Sequence, residues 1–160
     1  MAESKFLYVL RHAEAKPGIG IKGDFLRELT LEGRKQLDRL LGMLKKMDFK
    51  TDLILVSPAI RTLQTSEIIG FGFPSDIRKI VDDIFDAEPQ TLIELLNDIK
   101  GEIQKVLLIG HNPGISALVS YISGQDYISM KPGMMAIIEL QVDDWKMLGG
   151  NTGILKEILQ

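Results

Sequence analysis

Short apolar segments alternate along this chain with segments whose apolar residues recur at helical spacing, and no other feature limits the fold as much. The strand-like segments are residues 6–10, 53–56, 77–81, 106–109, 134–142 and 153–159. Helices are predicted between them, from Thr30 to about Met47, from Pro58 to Gly70, from Pro89 to about Ile99 and from Pro113 to Gly124. Such alternation predicts a mostly parallel sheet with helices on both faces. We therefore expect an α/β fold, a three-layer α/β/α sandwich whose last two strands bring one antiparallel edge strand.

The segments between strands carry local signals of their own. Ser57 and Asn112 each precede a proline, which predicts a helix cap followed by proline at the first helical position. Residues 13–29 hold four glycine and proline residues and no period, so we expect a long loop at the mouth of a cleft. Residues 18–23 match G-x-G-x-x-G, but they neither directly follow a strand nor open a helix. We interpret them as a flexible loop and not as a dinucleotide site.

Composition excludes several classes of protein. At 160 residues the chain is expected to form one domain, residues 1–160, and the absence of cysteine excludes disulfides, thiolate metal sites and a thiol nucleophile. The net charge of −3 argues against a nucleic-acid partner, which requires clustered basic residues. No apolar stretch reaches the roughly 18 residues of a membrane span, and the first residues lack the features of a signal peptide. We expect a soluble, cytoplasmic protein without a membrane partner.

Reactive side chains stand where three predicted strands end. The first strand ends in Arg11 and His12, the second leads into Arg61, and the strand at 106–109 leads into His111. Because the carboxyl ends of parallel strands meet at one edge of a sheet, we expect these four side chains to share one cleft.

Arg61 and the two histidines each allow more than one interpretation. A cation in the first turn of a helix opposes the helix dipole by roughly 0.3–1 kcal/mol, and a bound anion would remove that penalty. Arg61 could instead be a surface arginine paired with a carboxylate. His12 and His111, the two histidines of the chain, could be structural or could join carboxylates around a divalent metal. The neighbouring arginines favour a phosphate, because they repel a cation.

Three blocks of the sequence are similar to those of a known family. Residues 10–14 (LRHAE), 56–65 (VSPAIRTLQT) and 110–114 (GHNPG) resemble, in order, the signatures of the histidine phosphatase superfamily, the phosphoglycerate-mutase-like enzymes. The short chain, residues 27–30 (RELT) and the H-N-P-G form point to the SixA-like branch, the protein phosphohistidine phosphatases. The similarity extends from residue 6 to about residue 124.

This resemblance implies a role for each of the four side chains. His12 is the nucleophile that accepts the phosphoryl group, Arg11 and Arg61 clamp the phosphate oxygens, and His111 completes the pocket and stabilises the transferring group. No metal and no organic cofactor is implied. Phosphoryl transfer depends mainly on positioning and charge neutralisation, which arginines can supply. The attacking imidazole must be neutral, and a backbone carbonyl or a carboxylate must fix its tautomer.

The proton donor is less well defined, and so is the substrate. Position 13 is Ala where many members of the superfamily have Gly, a difference that the SixA-like branch accepts. Larger members use a Glu after the third strand. Here Asp86 and Glu88 are the candidates, although both, and Glu88 in particular, could simply be carboxylates that the dipole of a helix N-terminus favours. A phosphohistidine leaving group is readily protonated, so we hypothesise that no dedicated acid is needed.

The resemblance predicts a metal-independent phosphatase that acts through phospho-His12 on a phosphohistidine of a signalling protein. The chain is too short for the insertions that cover the pocket in mutase-like relatives, and an open cleft suits a phosphorylated protein. Two alternatives remain: a phosphatase of small phosphate monoesters, and a non-catalytic module that binds phosphate. A metal hydrolase would lose its activity to chelators.

Overall fold

The computed structural model describes residues 3–160. Met1 and Ala2, the first residues of the segment expected not to be a signal peptide, lie outside the described residues. The strands are β1 (Phe6–Arg11), β2 (Leu53–Val56), β3 (Ile77–Ile80), β4 (Lys105–Gly110), β5 (Met135–Leu140) and β6 (Gly153–Leu159). The helices are α1 (Gly20–Phe25), α2 (Leu31–Lys46), α3 (Ile60–Gly72), α4 (Pro89–Asn97) and α5 (Gly114–Ser123), with short 3₁₀ turns at Asp82–Ile84 and Trp145–Met147.

The six strands form one sheet in the order β3-β2-β4-β1-β5-β6. The first four are parallel, whereas β5 pairs antiparallel with β1 and β6 pairs antiparallel with β5. The predicted α/β architecture with a mostly parallel sheet is confirmed. The antiparallel strand is β5, which lies one position inside the edge of the sheet and not at the edge as predicted. The edge strand β6 pairs antiparallel with β5 and therefore runs in the same direction as the four parallel strands.

Alternate residues of the central strands point to opposite faces of the sheet and build two cores. Leu7 and Val9 of β1 belong to a cluster that α4 and α5 complete, whereas Tyr8 and Leu10 belong to one that α2 and α3 complete. Strands covered on both faces read as continuous apolar segments, which explains why β2 and β4 were recognisable from sequence. No helix in residues 3–160 is both long and apolar enough to cross a membrane.

Several boundaries differ from the sequence prediction. Residues 13–29 contain α1, which includes part of the G-x-G-x-x-G segment predicted to be a flexible loop. Helix α3 begins at Ile60 after Ala59 and runs to Gly72, and α5 begins at Gly114 after Pro113. The predicted caps are wrong because both helices begin later than predicted, so that Ala59 and Pro113 occupy the cap positions. The Ser57 hydroxyl contacts His111 and also accepts from the N–H of Ala59 at 3.4 Å, whereas Oδ1 of Asn112 accepts from the Ser116 hydroxyl. Thr30 caps α2 as predicted, accepting from the N–H of Gly33.

Candidate active site

A cleft of about 580 Å³ opens where β1 and β4 end and α3 begins. The four side chains singled out from the sequence, Arg11, His12, Arg61 and His111, all line it. Its other lining residues are Gly20, Ile21, Asp24, Arg27, Phe85, Asp86 and Asn112. Arg11 and His111, which lie 100 positions apart in the sequence, are brought together because parallel strands end at the same edge of the sheet.

His12 is oriented by its neighbour in the chain. Its Nδ1 lies 2.8 Å from the carbonyl oxygen of Ala13, and because a carbonyl only accepts, Nδ1 carries the proton. The lone pair of a neutral ring is therefore on Nε2, to which Nε of Arg61 donates at 3.3 Å. The residue is 5% exposed, and burial together with the charges of Arg61 and Arg11 lowers the pKa of His12 to about 4 despite the bond to Ala13.

A buried guanidinium, that of Arg61, stands beside His12. The residue is 5% exposed and lies in the first turn of α3, and burial lowers its pKa. Its Nη1 donates to the carbonyl of Asp24 at 2.7 Å, and its Nη2 lies 3.3 Å from Oδ2 of Asp24. The other oxygen of Asp24 lies 3.2 Å from Nη1 of Arg27. The carboxylate of Asp24 thus bridges the guanidiniums of Arg61 and Arg27 at the cleft. The alternative that Arg61 is a surface arginine paired with a carboxylate is therefore half right: the carboxylate partner is present, but Arg61 is buried.

Opposing effects act on the pKa of Asp24. Partial burial raises it, but the hydrogen bond from Arg27 and the charge of Arg61 outweigh burial, so the pKa is lowered and the group remains a carboxylate. Together Arg11, Arg27 and Arg61 bring three positive charges to the cleft, against the carboxylates of Asp24 and Asp86. This balance favours an anion as ligand.

Arg11 is held by the segment that precedes β5. Its Nη1 donates to the carbonyl of Met130 at 2.9 Å, and Nδ2 of Asn112 donates to the same oxygen at 2.7 Å. Its Nε is buried and has no hydrogen-bond partner among the described residues. Burial and the charges of Arg27 and Arg61 lower its pKa. Arg11 therefore retains an unpaired donor beside the cleft.

His111 faces His12 across the cleft with ring centroids 5.3 Å apart. Its Nε2 lies 2.7 Å from Oγ of the fully buried Ser57, and Nδ1 is buried with no partner in the part of the chain described. The ring of Phe85 packs edge-on against it, with centroids 5.5 Å apart. Burial, followed by the charge of Arg61, lowers the pKa of His111 to about 3, so this imidazole is also neutral at neutral pH.

Only one of the two candidate proton donors lies at the cleft. Asp86 lines the cleft, is exposed, and adopts a left-handed backbone conformation with φ of 56°. Glu88 is the residue before the first turn of α4 and does not line the cleft. Asp86 is therefore the candidate that could reach a bound substrate.

Sequence reasoning did not identify Asp24, Arg27, Phe85 or Ser57 as parts of the site. Asp24 and Arg27 are three residues apart at the end of the glycine-rich segment, a spacing typical of a helical ion pair, but that segment has no apolar period. Phe85 supports the wall because it also contacts Phe25 of α1, with ring centroids 5.4 Å apart. Within residues 3–160, no group of three or more His, Asp or Glu side chains is arranged to hold a metal ion.

Comparisons with known proteins identify a family and similar folds. The model of the histidine phosphatase superfamily (branch 1) matches residues 7–84. Uncharacterized protein Rv1276c of Mycobacterium tuberculosis strain H37Rv is 31% identical over 120 residues, 73% of each chain. The protein histidine phosphatase SixA complexed with tungstate superposes with a TM-score of 0.82 and 21% identity, over 97% of this chain and 96% of that one. A mycobacterial glucosyl-3-phosphoglycerate phosphatase superposes with a TM-score of 0.69 and 15% identity, over 96% of this chain and 98% of that one.

Proposed function

The chain belongs to the histidine phosphatase superfamily, and from this premise we propose that it is a metal-independent phosphatase in which His12 carries the phosphoryl group. The proposed substrate is a phosphohistidine on a signalling protein. One observation carries the proposal: the proton of His12 is fixed on Nδ1, so that Nε2 is an unprotonated nitrogen beside Arg61 in a cationic cleft.

The reaction proceeds in two steps. Nε2 of His12 attacks phosphorus, a P–N bond forms, and the bond from phosphorus to the leaving group breaks; the leaving atom keeps the electron pair of that bond and takes up a proton from solvent. Water then attacks phosphorus and releases a proton to solvent, the P–N bond breaks with its electron pair returning to Nε2 of His12, and phosphate leaves. Arg11 and Arg61 neutralise the equatorial oxygens in both steps. His111 stabilises the transferring group as a neutral imidazole that carries its proton on the unpaired Nδ1 and accepts from the Ser57 hydroxyl at Nε2.

A depressed pKa suits this role. With a pKa of about 4, His12 is almost wholly neutral at pH 7, so almost none of the enzyme carries a protonated nucleophile. Once phosphorylated, the residue carries the negative charge that the surrounding arginines favour. The same environment that makes a protonated histidine unfavourable therefore favours a phosphohistidine.

The relatives support two substrate classes. A neighbour in fold is named a protein histidine phosphatase, which fits a phosphohistidine on a protein, and another is a glucosyl-3-phosphoglycerate phosphatase, which fits a small phosphate monoester. The second candidate function is therefore hydrolysis of a small monoester by the same chemistry. Relative kcat/KM for a phosphohistidine protein and for sugar phosphates separates the two.

The mechanism is tested by trapping the intermediate. The protein is mixed with ³²P-labelled phosphohistidine protein of clearly different size, quenched within milliseconds in alkaline detergent, and separated by electrophoresis. We expect base-stable, acid-labile label on the wild-type chain, no label on His12→Ala, and slow labelling of His111→Ala. Label that persists in His12→Ala contradicts the assignment of the nucleophile. Phosphate binding without any turnover supports the non-catalytic module instead.

A further inference from the structure

The outer face of α1 presents apolar side chains to solvent beside the cleft. Ile19, directly before the helix, is 96% exposed, and Ile21 in its first turn is 87% exposed. Ile21 lines the cleft, whereas Ile19 does not, and no residue of α1 is buried. Single exposed apolar residues are common on protein surfaces, but this pair lies at the rim of a charged site. We call Ile19 and Ile21 the apolar lip.

Two lysines lie on either side of the apolar lip in the sequence. Lys22 follows Ile21 in α1 and Lys16 lies in the preceding segment; both are exposed, and neither forms an ion pair with another described residue. A surface that complements the lip is therefore apolar at its centre and acidic at its edges. A second copy of this chain would place lysine against lysine, which disfavours self-association through the lip.

Size separates the ligands that could cover the lip. A small phosphate ester is accommodated by the cleft, and because Ile19 lies outside the cleft, such a ligand leaves it exposed. A ligand that delivers its phosphoryl group to His12 and also covers Ile19 must extend beyond the cleft, as a folded protein does. We propose that the apolar lip is a docking site for the phosphohistidine-bearing protein, which it recognises by apolar and acidic residues beside the phosphorylated imidazole.

This inference rests on the proposed function, because the partner is identified by the phosphoryl group that the cleft receives. Covering an apolar side chain strengthens binding without altering the reacting bond. The lip should therefore affect KM for a phosphorylated protein and leave kcat nearly unchanged. It should have no effect on a substrate that is confined to the cleft.

The test compares two substrates that share the same scissile P–N bond. One is the free amino acid N-phosphohistidine. The other is a helical protein with a single exposed histidine, phosphorylated chemically with phosphoramidate, that carries leucine and glutamate residues beside this histidine. The variants are Ile19→Ser and, as a matched control, Phe71→Ser at the end of α3, where the side chain is 93% exposed and does not line the cleft.

We expect the wild type to prefer the protein probe, and Ile19→Ser to lower kcat/KM for it about tenfold through KM. Turnover of free phosphohistidine should change less than about twofold, and Phe71→Ser should behave as the wild type with both. Three results for Ile19→Ser would overturn the docking role: an equal loss of kcat/KM on both substrates, no loss on the protein probe, or a change in the sedimentation of the free enzyme. If the wild type hydrolyses neither substrate, the proposed function fails together with it.

Discussion

Ala13 contributes to the site through its backbone and not through its side chain. Its carbonyl accepts the Nδ1 proton of His12, and its N–H donates to the Thr65 hydroxyl at 3.2 Å. The methyl group is fully buried in the core that α2 and α3 complete. Because the tautomer of His12 depends on a main-chain oxygen, the replacement of glycine by alanine at this position leaves the proposed chemistry intact.

Asp86 and Glu88 form a matched pair for testing whether an acid is needed. We expect Asp86→Asn to change kcat for a phosphohistidine substrate by less than about threefold, because an imidazole leaves phosphorus easily. For a phosphate monoester, whose alkoxide must be protonated, the same variant should lose about 100-fold or more. Glu88→Gln should affect neither, since Glu88 does not line the cleft. A hundredfold loss on phosphohistidine in Asp86→Asn would refute the view that this reaction needs no dedicated acid.

Helices α2 and α1 mark what local sequence can and cannot predict. Helix α2 was predictable because Thr30 caps it, Leu37, Leu40 and Leu44 form its buried stripe, and two lysines favour its C-terminus. Helix α1 has no buried residue and no side-chain cap. Its backbone is held by a long-range contact, the hydrogen bond from Arg61 to the carbonyl of Asp24. Because the contact that stabilises α1 comes from Arg61 in α3, no local sequence pattern could predict this helix.

Two glycines of α2 should respond in opposite directions to the same substitution. A Cβ at Gly33 would collide with the backbone carbonyl of Glu14, whereas a Cβ at Gly42 would meet nothing within 4 Å. Gly33→Ala is expected to lower the free energy of unfolding by about 1–3 kcal/mol through overpacking. Gly42→Ala is expected to raise it by roughly 0.5–1 kcal/mol, because alanine has less conformational entropy to lose.

Urea denaturation of both variants measures these changes against the wild type. Each variant serves as the control for the other, since both replace glycine by alanine in the same helix. If the two substitutions change the free energy of unfolding with the same sign, the close approach of α2 to the segment that follows His12 is wrong.

At the scale of the whole molecule, the gathering of side chains at the strand ends was more predictable than the order of the strands in the sheet. The convergence of Arg11, Arg61 and His111 follows from two properties of the sequence, the alternation of strands with helices and the position of each side chain at a strand end. The order of the sheet was not predictable, because the same apolar segments could pair in several ways. The pairing of β5 beside β1 depends on packing across the sheet, which a single sequence does not display.

Folding stability should depend on pH through the two histidines. Unfolded histidine titrates near pH 6.5, whereas burial lowers the pKa of folded His12 to about 4 and that of His111 to about 3. Below pH 6.5 the unfolded chain therefore binds protons that the folded chain does not, and the free energy of unfolding falls as the pH falls. Between pH 7 and pH 5 this loss amounts to about 2 kcal/mol for each histidine.

The double variant His12→Asn, His111→Asn isolates this contribution, because the chain has no other histidine. Its free energy of unfolding, measured with urea at pH 5, 6 and 7, should be nearly independent of pH, while that of the wild type falls steeply and each single variant is intermediate. The lowered pKa of Asp24 places its own titration below this window. Equal slopes in the wild type and the double variant would mean that carboxylates dominate, and that the two imidazoles are not held neutral against their tendency to bind a proton.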